Sequence, residues 1–181
     1  RFIDYWGVKE TRYDTLLDQY EPGMTVAQLD HIFAELKATL IPLVQKIAEH
    51  DFKPRKDFLD GQFETDKQKE FSNYVLKQMG FNFEAGRLDE SVHPFAIGLN
   101  PGDVRITTKY VKDDVATALF GTIHEGGHAM YEQNISPQLI GTTLCTGSSM
   151  GIHESQSLFW ENIIGRSEHF WSYHLPKPKA L

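Results

Sequence analysis

The chain has 181 residues, a length that suits one domain with a real hydrophobic core. A net charge of −7, from 18 Lys+Arg against 25 Asp+Glu, argues against nucleic acid or an anionic membrane as partner. One cysteine, Cys145, excludes an intrachain disulfide framework, and no apolar run of ~18 residues offers a membrane span. A cytoplasmic globule is expected, with Cys145 as a small packing residue.

The first half reads as helical. Thr25-x-x-Gln28 is a capping box, and Val26, Leu29, Ile32, Phe33, Leu36, Leu40, Leu43, Val44 and Ile47 follow at helical spacing. That stripe predicts a long amphipathic helix whose apolar face meets a core or another helix. Residues 51–61, with Pro54, read as a loop. A second box, Thr65-x-x-Gln68, opens a helix through Phe71, Val75, Leu76 and Met79, and Gly80 is its natural stop.

Residues 81–112 change character. Gly86, Pro94, Gly98, Pro101 and Gly102 punctuate short runs, among them Phe95-Ala96-Ile97. Residues 104–110 alternate as a strand, with Val104, Ile106 and Thr108 on one face and Arg105, Thr107 and Lys109 on the other. A small sheet here would wall a cleft, and its edge could pair with an extended peptide. His93 and Arg105 are then candidates to line the groove. Taken alone, they read more readily as a turn histidine and as a structural Arg105–Asp103 pair.

The next helix carries the most informative run in the chain, His124-Glu125-Gly126-Gly127-His128. Asp113 and Asp114 can cap it, and Val115, Ala118, Leu119, Thr122 and Ile123 recur at helical spacing. Residues four apart share a helix face, so both imidazoles can reach one cation, while Glu125 stands about 100° away, placed for general-base work. Two glycines in one helix cost roughly 1 kcal/mol each relative to alanine, which predicts close backbone approach there.

A zinc hydrolase needs a third protein ligand and an open position for water. The metzincin continuation is excluded, because Tyr131 and Asn134 stand where glycine and histidine are required. Glu132 continues the histidine stripe, but it lies about 12 Å along the axis from His124 at 1.5 Å per residue, too far to converge. The better candidate is Glu154, in His153-Glu154-Ser155-Gln156 on a following helix expected from Ser148 to about Trp171, with Glu161 in reserve. His153, next to Glu154 in sequence, is expected to point elsewhere and line the cleft. The aspartate that thermolysin-type enzymes carry four residues after their glutamate ligand is replaced by Leu158. Zinc is the expected ion, and a His₂Glu set also accepts cobalt or manganese. His153, His93 and Tyr110 are unranked candidates to stabilise an oxyanion.

Four motifs in one order now resemble a known family: His93-Pro94-Phe95, then residues 103–107 (Asp-Val-Arg-Ile-Thr), then residues 124–128, then residues 153–156. The chain is similar throughout to the thermostable carboxypeptidase Taq family of zinc metallocarboxypeptidases, also at Tyr5-Trp6-Gly7, residues 20–25 and Trp160-Glu161-Asn162. The resemblance implies a mainly α, helical zincin-like core with a small β-sheet beside the HExxH helix. It implies His124, His128 and Glu154 as ligands of one divalent metal and Glu125 as catalytic carboxylate. His93, Arg105 and His153 become substrate contacts, a peptide the substrate, and a homodimer the assembly.

Departures are equally plain. The chain begins at Arg1 and ends in residues 176–181, before two motifs that the family uses for substrate contacts, and Ala96 replaces the family's threonine after His-Pro-Phe. The expectation is the central portion of a longer enzyme, treated as one domain over 1–181: helical over 1–80, sheet and cleft wall over 81–112, metal-binding helices over 113–174. Two other readings stay open. One is a catalytically incomplete fragment that only binds metal. The other is a zincin of different cleavage direction, an endopeptidase or aminopeptidase.

Overall fold

Residues 1–174 are described by the computed structural model, and residues 175–181 lie outside the described part. The chain groups into two compact units, Arg1–Arg55 and Lys56–Leu181. The boundary falls in the Pro54-containing loop, whose residues 51–61 are all exposed.

The first unit holds α1 (Phe2–Trp6), α2 (Arg12–Leu17) and α3 (Val26–Glu49). The box at Thr25 and Gln28 forms in both directions and starts α3 as the sequence predicts. A second box, Thr11 with Asp14, starts α2. The buried Asp14 also accepts the Val26 backbone N–H through Oδ1 at 2.6 Å, tying the first turn of α3 to α2. No residue of α3 is buried. Its stripe, including Ile32, Phe33, Leu36, Leu40 and Ile47, stands exposed instead of packing into a core.

The second unit carries α4 (Thr65–Met79), β1 (Gly86–Glu90), β2 (Ala96–Asn100), β3 (Asp103–Thr108), α5 (Val115–Gln133), α6 (Met150–Leu158) and α7 (Glu168–His174), with a π-helical turn at Phe159–Ile164. The start of α4 departs from expectation. Glu64 is its N-cap, with no side-chain cap bond. The buried Gln68 instead donates from Nε2 to the carbonyls of Phe63 and Val111, both at 2.9 Å, and so joins the loop and the post-sheet segment to α4. Gly80 ends α4 in the left-handed region, φ 97°, where glycine carries no Cβ penalty.

The sheet order is β1-β3-β2, with β1 parallel and β2 antiparallel to the central β3. The predicted alternation holds at Val104, Ile106 and Thr108, which are buried, and at Arg105, which is exposed. Thr107 is buried as well, because its hydroxyl meets Ser91 Oγ at 2.7 Å and the Phe95 N–H at 3.0 Å. The core joins Phe71, Val75, Leu76 and Met79 of α4, Val104 and Ile106 of β3, and Leu119, Ile123 and Ala129 of α5. At roughly 1.5–3 kcal/mol for each large aliphatic or aromatic side chain buried, this cluster is what holds α5 between α4 and the sheet.

The single helix expected from Ser148 to about Trp171 is divided. Ser149 caps α6 through Ile152 N, the chain passes through the π turn, and Ser167 Oγ accepts the Phe170 N–H to start α7 afresh. Trp160 and Trp171 are partly buried against the core, whereas Phe159 is exposed.

Candidate metal centre

Asp114 caps α5 by accepting the Thr117 N–H, and the helix then runs without interruption through both histidines. The two glycines between them serve close packing, each in a different direction. A methyl built on Gly126 would lie 2.8 Å from Leu76 Cδ2 and 2.9 Å from Met79 Cε, on the α4 side. One built on Gly127 would lie 2.6 Å from the Cα of Ser157, in the backbone of α6. The glycine penalty therefore brings the helix carrying the histidines against the helix carrying Glu154.

That approach assembles the three expected ligands. Ligand atoms of His124, His128 and Glu154 lie within 4.8 Å of one another, the single such group among the described residues. Nε2 of His124 is 3.7 Å from Glu154 Oε1, and Nε2 of His128 is 3.3 Å from Glu154 Oε2. Tetrahedral zinc with ligands at ~2.0–2.1 Å sets neighbouring donors ~3.4 Å apart, so the spacing and the two-nitrogen, one-oxygen set fit such an ion.

Both imidazoles are oriented from behind. His124 Nδ1 meets Glu161 Oε2 at 3.0 Å, and Arg166 holds the other oxygen of that carboxylate at 2.7 Å. Glu161, the reserve ligand, thus lies on the nitrogen of His124 that faces away from Glu154. Burial opposes ionisation of Glu161, but the bonds from Arg166 and His124 prevail and hold it below the usual carboxylate range. His128 Nδ1 meets His153 Nδ1 at 2.8 Å with the rings stacked, and His153 Nε2 meets Glu132 Oε1 at 2.7 Å. Both ring nitrogens of His153 are therefore engaged within the centre, where the sequence suggests a cleft-lining side chain.

Glu125 is 8% exposed. Burial pushes its carboxyl up to about 7; the neighbouring His124 works against that rise and Glu154 adds to it. It lines an open groove of about 450 Å³ together with His124, Glu161, Phe120 and Arg166. His128 is pushed down to about 4, chiefly by burial and then by the other two histidines, with Glu154 opposing. A buried carboxyl near neutrality beside a neutral, metal-competent imidazole is an arrangement typical of hydrolytic centres.

The remaining candidates lie outside the ligand cluster. Arg105 makes a two-pronged pair with Asp103, at 2.8 and 2.9 Å. His93 is exposed, and its carbonyl accepts from Ser91 Oγ. Tyr110 lies beside α4, its ring 5.6 Å from Lys69 Nζ, and burial raises its hydroxyl's pKa. The sequence sets Glu132 aside as a ligand and gives no signal for Arg166. The signals for the two carboxylates are nonetheless present: Glu132 is the next member of the i, i+4 stripe after His128, and Glu161 lies seven residues, two turns, beyond Glu154.

The chain matches the model of the carboxypeptidase Taq (M32) metallopeptidases over residues 1–181. It is 58% identical over 177 residues to carboxypeptidase 1 of Bacillus subtilis, covering 98% of this chain and 35% of that protein. It is 44% identical over 169 residues to thermostable carboxypeptidase 1 of Thermus thermophilus, covering 93% of this chain and 33% of that protein. Among solved structures, the M32 carboxypeptidase of Deinococcus radiodurans R1 superposes with a TM-score of 0.89 at 41% identity, over 93% of this chain and 34% of that one. The chain spans about a third of the length of the curated relatives it matches.

Proposed function

The chain belongs to the carboxypeptidase Taq family of metallopeptidases, and from that premise we propose that it supplies the catalytic centre of a zinc-dependent metallocarboxypeptidase. The proposed reaction is release of C-terminal amino acids from peptides. The observation that carries this reading is the convergence of His124, His128 and Glu154 beside the buried Glu125. Those three residues would hold a divalent ion, which would supply Lewis acidity to acidify water and polarise the scissile carbonyl.

The chain's own residues do the rest. Glu125 takes a proton from the attacking water and returns it to the leaving amine. Glu161 and the His153 ring hold the two imidazoles by their Nδ1 atoms, so that both Nε2 atoms face the Glu154 carboxylate. Arg105 and His93 are the proposed contacts to substrate, with the guanidinium offering a partner for a terminal carboxylate. The edge strand β2, which pairs only with β3 among the described strands, offers backbone groups to an extended peptide. The same reading places the protein in the cytoplasm as a homodimer; no helix among the described residues is long and apolar enough to cross a membrane.

The test uses three peptides of one sequence: free at both ends, N-blocked, and C-amidated. A carboxypeptidase shortens the first two from the C-terminus and leaves the third intact. Cleavage of the amidated peptide shows an endopeptidase or aminopeptidase instead. A second reading, a chain that binds metal without hydrolysis, rests on the ligand cluster alone. Metal uptake with all three peptides left intact establishes that one.

A further inference from the structure

Behind His128 runs a part-buried series of side-chain contacts. Three groups lie in series: His128 Nδ1 to His153 Nδ1 at 2.8 Å, then His153 Nε2 to Glu132 Oε1 at 2.7 Å. The His153 ring is fixed in place, stacked on His128 at 4.7 Å between ring centres, with Tyr131 at 5.0 Å and the Gly147 backbone close by. The Glu132 side chain is 15% exposed.

Two proton arrangements are open to the neutral imidazoles. In the first, His128 carries its proton on Nδ1 and donates to His153, which carries its own on Nε2 and donates to Glu132. Nε2 of His128 is then a bare lone pair facing Glu154. In the second, both protons move to the other nitrogens. His128 Nε2–H then points at Glu154 and cannot bind a cation, and a bare His153 nitrogen faces an anionic oxygen at 2.7 Å. That contact sets two acceptors against each other in a shielded place, which is costly. An ionised Glu132 thus selects the first arrangement.

Resting on the metal site proposed above, we propose that Glu132, acting through His153, is a positioning residue that holds His128 in the Nδ1–H tautomer and so keeps Nε2 open for the ion. Glu132 is itself set by the sheet. A methyl at Gly98 of β2 would collide with its Oε2 and lie 2.7 Å from its Cδ. Alanine at 98 therefore meets the far end of a flexible side chain, which can swing aside and leave His153 without its acceptor. The path runs from the exposed edge strand to a metal ligand through Gly98, Glu132 and His153.

The decisive variant is Glu132→Gln, because an amide of the same shape can accept from or donate to His153 Nε2 and so removes the selection while keeping the hydrogen bond. Long-range ¹H–¹⁵N correlation spectra of the protein stripped of metal at pH 8 report which nitrogen of each imidazole carries the proton. The expected result is Nδ1–H for His128 and Nε2–H for His153 in the parent, with Nε2–H appearing on His128 in Glu132→Gln. Competition against a chelator should then show zinc bound 10–100-fold more weakly by Glu132→Gln and by Gly98→Ala. An Nε2–H tautomer for His128 in the parent overturns the proposal. So does a Glu132→Gln protein with unchanged spectra and unchanged zinc affinity. A parent that binds no zinc counts against the metal site itself, while the metal-free spectra still decide the role of Glu132.

Discussion

His124 turns its Nδ1 to Glu161 at 3.0 Å and its Nε2 to Glu154 at 3.7 Å, so one imidazole separates the proposed ligand carboxylate from a second one behind it. Glu161→Ala removes the support and leaves all three ligands. It should weaken zinc binding 10–100-fold and leave the fold intact, because the side chain contributes no residue to the hydrophobic core. Arg166→Gln should have a smaller effect in the same direction, since it touches Glu161 and not the histidine. Chelator competition, with circular dichroism as the control for folding, checks both.

Glu125→Gln separates chemistry from metal binding. The amide keeps the shape and loses the base, so peptide hydrolysis should fall by 10²-fold or more while zinc is bound as before. Parallel assays of C-terminal release and zinc content measure the two. Unchanged hydrolysis would remove Glu125 from the mechanism.

The pH dependence of stability follows from two opposed shifts. Glu125 is raised from 4.5 to about 7 in the folded protein, so its contribution is present below pH 4.5 and is lost as pH rises through about 7. His128 is lowered from 6.5 to about 4, so its contribution is present above pH 6.5 and is lost as pH falls through about 4. Each is on the order of 3 kcal/mol. Over the shared window of pH 4.5 to 6.5 they nearly cancel in the metal-free parent. In metal-free Glu125→Gln only the histidine contribution remains, so stability should climb steeply between pH 4 and 6.5. Urea unfolding at a series of pH values gives the comparison. A bound dication favours the charged form of Glu125, so the rising, acidic limb of the hydrolysis profile should lie below pH 7.

The adjacent glycines should differ under substitution. Gly127→Ala drives a methyl into the backbone of α6 at Ser157, which should cost about 1–3 kcal/mol and weaken zinc binding as Glu154 is pushed away. Gly126→Ala meets side-chain atoms of Leu76 and Met79, which can shift, and gains helix propensity. It should cost less stability and leave zinc affinity near the parent's. Thermal unfolding and chelator competition together distinguish the two.

Much of this centre is legible in the sequence because its signals are local. The Asp114 cap, the apolar spacing of α5 and the i, i+4 histidines all lie within one helix, and helical periodicity turns them directly into geometry. Glu154 was reachable because a second apolar helix follows and zinc needs a third ligand. What escaped depended on distant partners. Thr65 and Gln68 read as a capping box, but the Gln68 amide is taken by Val111, 43 residues away. His153 read as turned from the site because it neighbours Glu154. Yet α6 approaches α5 so closely at Gly127 that two successive side chains both meet α5, one towards the ligands and one against the His128 ring. The stripe of α3 marks a helix correctly, and periodicity carries no information on what covers it.

The most direct test of the account is an anomalous-difference map from crystals of the zinc-loaded protein, recorded on either side of the zinc absorption edge. It should show one strong peak at ~2.0–2.2 Å from His124 Nε2, His128 Nε2 and a Glu154 carboxylate oxygen. Absence of a peak there, or a peak on Glu161 or Glu132 in place of Glu154, would contradict the assignment on which the proposed hydrolysis rests.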